Sequence, residues 1–200
     1  MVRRKAAKDV RSTKQHILDV ATEFMQERGF QGFSFLDVAK AVGVSHVAVH
    51  HHFATKSDLA VAAMAGYTAR FEGALADIAA AGRSAADELR AFAALFEKTL
   101  EKSKRACLCG MLSAELTVLP REVQDEVRRF YEVSEAWLTT RIGAASPRAE
   151  DPEALAATFL ATLEGALMSA RALQNRGRLT DAAEWFIESL PSGAKKRRST

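Results

Sequence analysis

Residues 34–56 read SFLDVAKAVGVSHVAVHHHFATK, and this stretch constrains the fold more than any other part of the chain. Ser34 stands three residues before Asp37, the spacing of a capping box that opens a helix. Val38, Ala39 and Val42 then face inward, and Gly43 stops the run. Glycine at that point permits the left-handed backbone of a tight turn. Val44 plugs the turn from inside, and Ser45 caps a second short helix, His46 to His52. Two short helices joined by Gly-Val-Ser have the shape of a helix-turn-helix.

The rest of the chain follows helical spacing. Alternating β patterns are almost absent, and the four prolines, at 120, 147, 152 and 191, read as boundaries. Ile17, Ala21, Phe24 and Met25 make one face of a first helix, about Thr13 to Arg28, which Gly29 ends. A longer helix begins near Lys56 with Leu59, Ala63, Tyr67 and Phe71 on one side, and Gly82 breaks it. The next carries Leu89, Phe92, Ala93, Phe96 and Leu100, and a shorter one covers Cys107 to Leu116. Pro120 starts another, with Val123, Val127, Phe130, Ser134, Trp137 and Arg141. After a loop over residues 143–151, Pro152 opens a long helix bearing Leu155, Phe159, Leu163, Leu167, Ala170 and Leu173, ended by Gly177. Asp181 to Leu190 makes the last. The expectation is an all-α chain of nine helices, split three plus six.

Hydrophobic residues make up 48% of the 200, enough for a packed core. No apolar run approaches the ~20 residues of a membrane span. The basic N-terminus lacks the apolar stretch of a secretory signal, so the expected compartment is the cytoplasm, with no membrane partner. Cys107 and Cys109 do not make a disulfide framework, which agrees with a reducing compartment. On one helix, positions i and i+2 point about 200° apart, which excludes a bond between them. Charge is uneven: residues 1–60 carry +3, residues 61–194 carry −4, and Lys195, Lys196, Arg197 and Arg198 end the chain. A basic module on an acidic body suggests a polyanion at one end, although a merely solvated surface has the same charges.

The second helix of a helix-turn-helix lies in the major groove with its N-terminal residues at base edges. Residues 11–59 resemble the DNA-binding domain of the TetR family. Arg28-Gly29-Phe30 matches the end of that family's first helix, and Ser34-Phe35-Leu36-Asp37-Val38-Ala39 matches its Ser/Thr-x-x-Asp-Ile/Val-Ala. Val42-Gly43-Val44-Ser45 matches Ala-Gly-Val-Ser, Val49-His50-His51-His52-Phe53 matches Leu-Tyr-x-His-Phe, and Thr55-Lys56 follows. The main departure is His50, where the family usually has a Tyr that meets the phosphate backbone; an imidazole N–H can donate the same bond. Ser34 and Ser45, at helix N-termini, suit phosphates. His46, Val47 and Ala48 are the base-edge candidates, the two apolar ones suited to thymine methyls. His50, His51 and Lys56 are phosphate candidates. Arg3, Arg4, Lys5, Lys8 and Arg11 form an arm that follows the DNA or serves as a solubilising tail.

The resemblance implies an N-terminal arm (1–12), a helix-turn-helix domain (13–55), a six-helix ligand-binding and dimerisation domain (56–190) and a basic tail (191–200). It implies a repressor that binds a palindromic operator in double-stranded DNA as a homodimer through residues 152–190, and that a small-molecule effector releases. Ala156, Ala157, Ala161, Gly165, Ala166, Ser169 and Ala170 suit close helix approach, in a dimer or within one protomer. Pocket candidates are Phe92, Phe96, Cys107, Met111, Phe130, Trp137 and Phe159, with ordinary core as the alternative for each. A Gly-Cys-Leu-x-Gly-x-Leu stretch occurs in one branch of the family, including some regulators of electrophile or redox responses. Here Ala106 replaces its first Gly, and Cys107 matches its Cys. Lys102, Lys104 and Arg105 upstream would favour a thiolate, whereas a buried structural Cys needs no such help.

Two other classes are weighed against this one. An enzyme needs a nucleophile with its base, a phosphate loop or a metal quartet, and none is visible. His46 and His50, at i and i+4, can both reach one ion, but no further ligand lies between them, so neither metal nor cofactor is expected. A nucleoid-type DNA binder has no need of a six-helix body with an aromatic interior.

Overall fold

A computed structural model describes the backbone of residues 2–103 and 105–191, and the side chains of residues 13–100 and 105–191. Among the described residues there are nine α-helices, one short 3-10 turn and no strand. They are α1 (Val2–Arg28), α2 (Phe35–Val42), α3 (His46–His52), α4 (Lys56–Ala80), α5 (Ala85–Ser103), α6 (Leu108–Ala114), α7 (Arg121–Ala145), α8 (Pro152–Ala172) and α9 (Gly177–Ser189), with the 3-10 turn Leu116–Val118 between α6 and α7.

Most of these helices start where a side chain can serve the orphan N–H groups of a first turn. Ser34 and Asp37 complete the capping box of α2: the Ser34 N–H donates to Asp37 Oδ2 at 2.8 Å, and the Asp37 N–H donates to Ser34 Oγ at 3.3 Å. Thr55 and Asp58 repeat it at α4, with bonds of 2.9 and 3.0 Å. Asp151 caps α8 ahead of Pro152 at the first turn. Gly43 closes α2 at φ 78, a left-handed conformation, and its N–H donates to the Ala39 carbonyl at 2.9 Å.

Helix α7 runs through Gly143 to Ala145, where the loop is expected to begin, and two other boundaries differ more. Residues 2–12, expected as an arm ahead of the helix, continue α1 back to Val2. No glycine or proline interrupts the chain before Gly29, so no residue there stops the helix. The side chains of Arg3, Arg4, Lys5, Lys8 and Arg11, and the tail cations at 195–198, lie outside the described residues. Gly177, expected to end α8, instead opens α9. Gln174 takes the left-handed turn at φ 52, and the Gly177 N–H donates to Asn175 Oδ1 at 3.1 Å, so a polar turn does the stopping.

The chain forms two compact units. One takes the chain up to Arg70 together with Leu108–Phe130, and the other takes Phe71–Cys107 and the chain from Tyr131 onward. In the first unit, Ile17, Ala21 and Met25 of α1 are fully buried, as are Val38, Val49 and Leu59 from α2, α3 and α4. Helix α6 packs on α1 there, and Tyr67 meets Phe130 at 5.8 Å between ring centroids. In the second unit, α5, α8 and α9 pack on one another. Phe92 is the hub: its ring lies 5.5 Å from Trp137, 5.6 Å from Phe71, 5.7 Å from Phe96 and 6.3 Å from Phe159. Phe159 in turn stacks on Phe186 at 4.6 Å. Truncating Phe92 to Ala should cost about 3–5 kcal/mol, the usual figure for emptying a closed aromatic site, as read by urea unfolding.

Candidate nucleic-acid interface

Helix α3 is short and two-faced. Val49 is fully buried, whereas Val47, two residues earlier, is 75% exposed. Ser45 caps the helix by accepting the Ala48 N–H at 3.1 Å, which leaves its hydroxyl proton free to turn outward. His46, Val47, His50 and His51 form the open face, with Ala48 partly covered.

The imidazoles of that face are braced. His46 and His50 meet edge-on at 4.6 Å, and the Phe35 ring of α2 holds His50 at 4.7 Å and His46 at 6.4 Å. His50 stands where the family usually has a Tyr, and its ring is held between Phe35 and His46 while the residue stays exposed. Among the described residues no group of three or more His, Cys, Asp or Glu is placed to hold a metal ion.

Ser34 is exposed at the N-terminus of α2, with its hydroxyl proton donated to Asp37 Oδ2 at 2.6 Å. That bond, with the Ser34 N–H, holds the Asp37 carboxyl below the usual carboxylate range. Lys56 is half-buried. Its ammonium donates to the Phe33 carbonyl and sits 4.4 Å from the Phe33 ring centroid and 4.8 Å from that of Phe30. Burial pushes the Lys56 pKa down, against the pull of the Glu115 and Asp37 carboxylates.

Glu115 is a residue that sequence reasoning missed. Its Oε2 accepts the Phe30 N–H at 2.5 Å and the Gln31 N–H at 3.3 Å, across 85 and 84 residues of chain. No local pattern announces a bond of that separation. Glu164, in the second unit, was missed as well. Both its carboxyl oxygens are buried, with the Cys107 thiol as their polar neighbour. Burial, then the neighbouring Cys107 thiol, push its pKa up to about 10. The available signal was an acid on a helix of small and apolar residues.

Of the expected pocket residues, Phe92, Phe96, Trp137 and Phe159 come together in the aromatic cluster of the second unit. The Arg141 guanidinium borders that cluster over Trp137 at 5.2 Å, and its Nε pairs with Glu88 Oε2 at 3.0 Å. Cys107 belongs to the same unit and is buried, whereas Met111 and Phe130 belong to the first.

Comparison with known proteins agrees with this geometry. Residues 17–63 match the model for bacterial regulatory proteins of the tetR family. Residues 85–185 match the model for the LmrA/YxaF-like transcriptional regulator C-terminal domain. The chain is 43% identical over 56 residues to the HTH-type transcriptional regulator AcrR of Shigella flexneri, a match covering 28% of this chain and 26% of that protein. Over 185 residues it is 26% identical to the transcriptional regulator AcuR of Cereibacter sphaeroides, covering 84% of this chain and 81% of the other. A TetR-family regulator from Agrobacterium tumefaciens superposes with a TM-score of 0.86 at 28% identity, covering 92% of this chain and all of that one. A capped helix-turn-helix with an open, imidazole-rich second helix on an all-α body is thus that of a DNA-binding transcriptional regulator, not an enzyme. The chain belongs to the TetR family.

Proposed function

We propose that this regulator is a repressor that binds a palindromic operator in double-stranded DNA as a homodimer and leaves it when a small-molecule effector binds the C-terminal body. The carrying observation is Val47, an apolar side chain 75% exposed on the open face of α3. Water gives it no reason to be there, whereas a thymine methyl in the major groove does. His46, Val47 and Ala48 read base edges, Ser45, His50 and His51 hold phosphates, and Ser34 joins them when its hydroxyl turns from Asp37. Lys56 joins them with the N–H groups its Phe33 bond leaves over. The effector lies against Phe92, Phe96, Trp137 and Phe159, with Cys107 in the same unit. No described helix is long and apolar enough to cross a membrane, and the proposed place of work is the cytoplasm, where the DNA is.

A footprint on the protein's own genomic DNA tests the reading. Protection of one short palindrome, relieved by a metabolite that also raises the melting temperature, is the expected result. Uniform coating of DNA, or no protection at any sequence, overturns it.

The roles within α3 separate by salt titration on operator and random DNA. Changes at His46 or Ala48 should cost on the order of 1–3 kcal/mol more on operator than on random DNA. His51→Ala should weaken both alike, as loss of a phosphate contact does. A His51 variant that alters base preference would show that α3 sits differently in the groove.

A further inference from the structure

Glu115 follows α6, far along the chain from the helix-turn-helix, yet within the first unit its carboxylate sits on the turn that leads into α2. Gly29, at the end of α1, is left-handed at φ 76, and a Cβ added there would lie 2.2 Å from Glu115 Oε1. The glycine therefore does two things: it turns the chain so that successive N–H groups converge, and it leaves space for the anion. Phe30 and Gln31 supply those N–H groups, at 2.5 and 3.3 Å from Oε2. On the other side, the Lys56 ammonium feels the same carboxylate and ties the Phe33 carbonyl and the Phe30 and Phe33 rings to the start of α4.

From this point a short covalent path reaches the reading face. Phe33 precedes Ser34, which caps α2, and the Phe35 ring next to it braces His46 and His50. A shift of the turn is thus a shift of the support under α3.

We propose that Glu115 is a positioning residue for operator reading: a tethered anion that, with Lys56, sets the α1–α2 turn and through it the placement of α3. It touches no DNA. The inference rests on the operator-binding reading above. It commits to a signature that loss of folding does not produce, because Glu115 brings order and negative charge to the same unit. Removing it should weaken sequence reading while leaving, or slightly improving, attraction to any phosphate backbone.

The test uses full-length Glu115→Gln and Glu115→Ala, with Gly29→Ala as an independent variant that evicts the carboxylate. The probes are a duplex that the wild type selects from a random-sequence pool and a scrambled duplex of equal length. Glu115→Gln should weaken the selected duplex about tenfold, and Glu115→Ala more, as for loss of a charge-assisted hydrogen bond. The scrambled duplex should bind as well as before or slightly better, with its salt slope kept. Amide hydrogen exchange should quicken at Phe30 and Gln31. Equal weakening on both duplexes, or an unchanged selected-duplex affinity, overturns the positioning role. Unchanged exchange at Phe30 and Gln31 sinks the clamp itself. A wild type that selects no duplex sinks the operator reading, and the positioning role with it.

Discussion

Replacing Glu164 with Leu should raise the stability of this protein near neutral pH by about 3 kcal/mol and flatten its dependence on pH. The side chain sits on α8 with both carboxyl oxygens buried beside the Cys107 thiol, and its pKa is raised from 4.5 to about 10. The sign follows from which state holds the proton. Folded, Glu164 keeps it up to about pH 10; unfolded, it gives it up above about 4.5. Its favourable share is therefore complete below the lower value and lost as pH rises through the window, at roughly 1.4 kcal/mol per pH unit. Leucine ends that loss and fills the space beside the Cys107 thiol with a side chain that needs no hydrogen bond. Glu164→Gln should flatten the slope equally but gain less, because its amide still wants partners. Urea unfolding at pH 5, 7 and 9 decides the matter. A wild-type slope retained in Glu164→Leu would mean that another group carries it.

The helix-turn-helix was readable in the sequence because its signals are local. Ser34 with Asp37, Gly43, and Ser45 with Ala48 each act within four residues, and each forms the bond that its spacing implies. Boundaries without such a signal were less legible. Gly177 looked like a stop, but Gln174 and Asn175 made the turn first and left the glycine to begin α9. Contacts across the chain were not legible at all. Nothing near Phe30 points to Glu115, and nothing near Cys107 points to Glu164, since each pairing exists only once the helices have packed. The aromatic residues were visible as buried, and four of them do gather. A buried cluster reads the same in sequence whether it is core or pocket wall, because the hydrophobic effect is non-directional.

In the proposed homodimer, Ala161→Glu and Trp185→Glu should each give a folded monomer and lower affinity for a full palindrome by about a hundredfold or more. The two positions sit on the outer faces of α8 and α9. Ala154, Ala157, Thr158, Ala161, Gly165, Met168 and Ala172 recur at helical spacing along α8, all exposed in the protomer. Met168, Leu173 and Trp185 are 43%, 64% and 71% exposed, three large apolar side chains within one stretch of chain. Between the two helices runs a groove lined by Thr162, Ala166, Ser169, Arg178, Asp181 and Ala182. A smooth small-residue stripe beside projecting apolar groups is self-complementary in the way a two-fold contact requires: the stripe of one protomer admits the projections of its partner. A Cβ at Gly165 would meet nothing within 4 Å, so the protomer itself has no need of a small residue there. Burying a charge in such a contact carries a desolvation cost, whereas on the free protomer it sits in water, so the variants should lose association and keep their fold. DNA binding falls because two linked reading heads are replaced by two independent ones, and the second head then binds from bulk concentration instead of a millimolar local one. Sedimentation velocity at micromolar concentration, with circular dichroism for the fold and titration on full and half sites, tests each step. Dimers that persist in both variants would place the contact on another face, and monomers that still bind the full palindrome tightly would show that dimerisation does not set operator affinity.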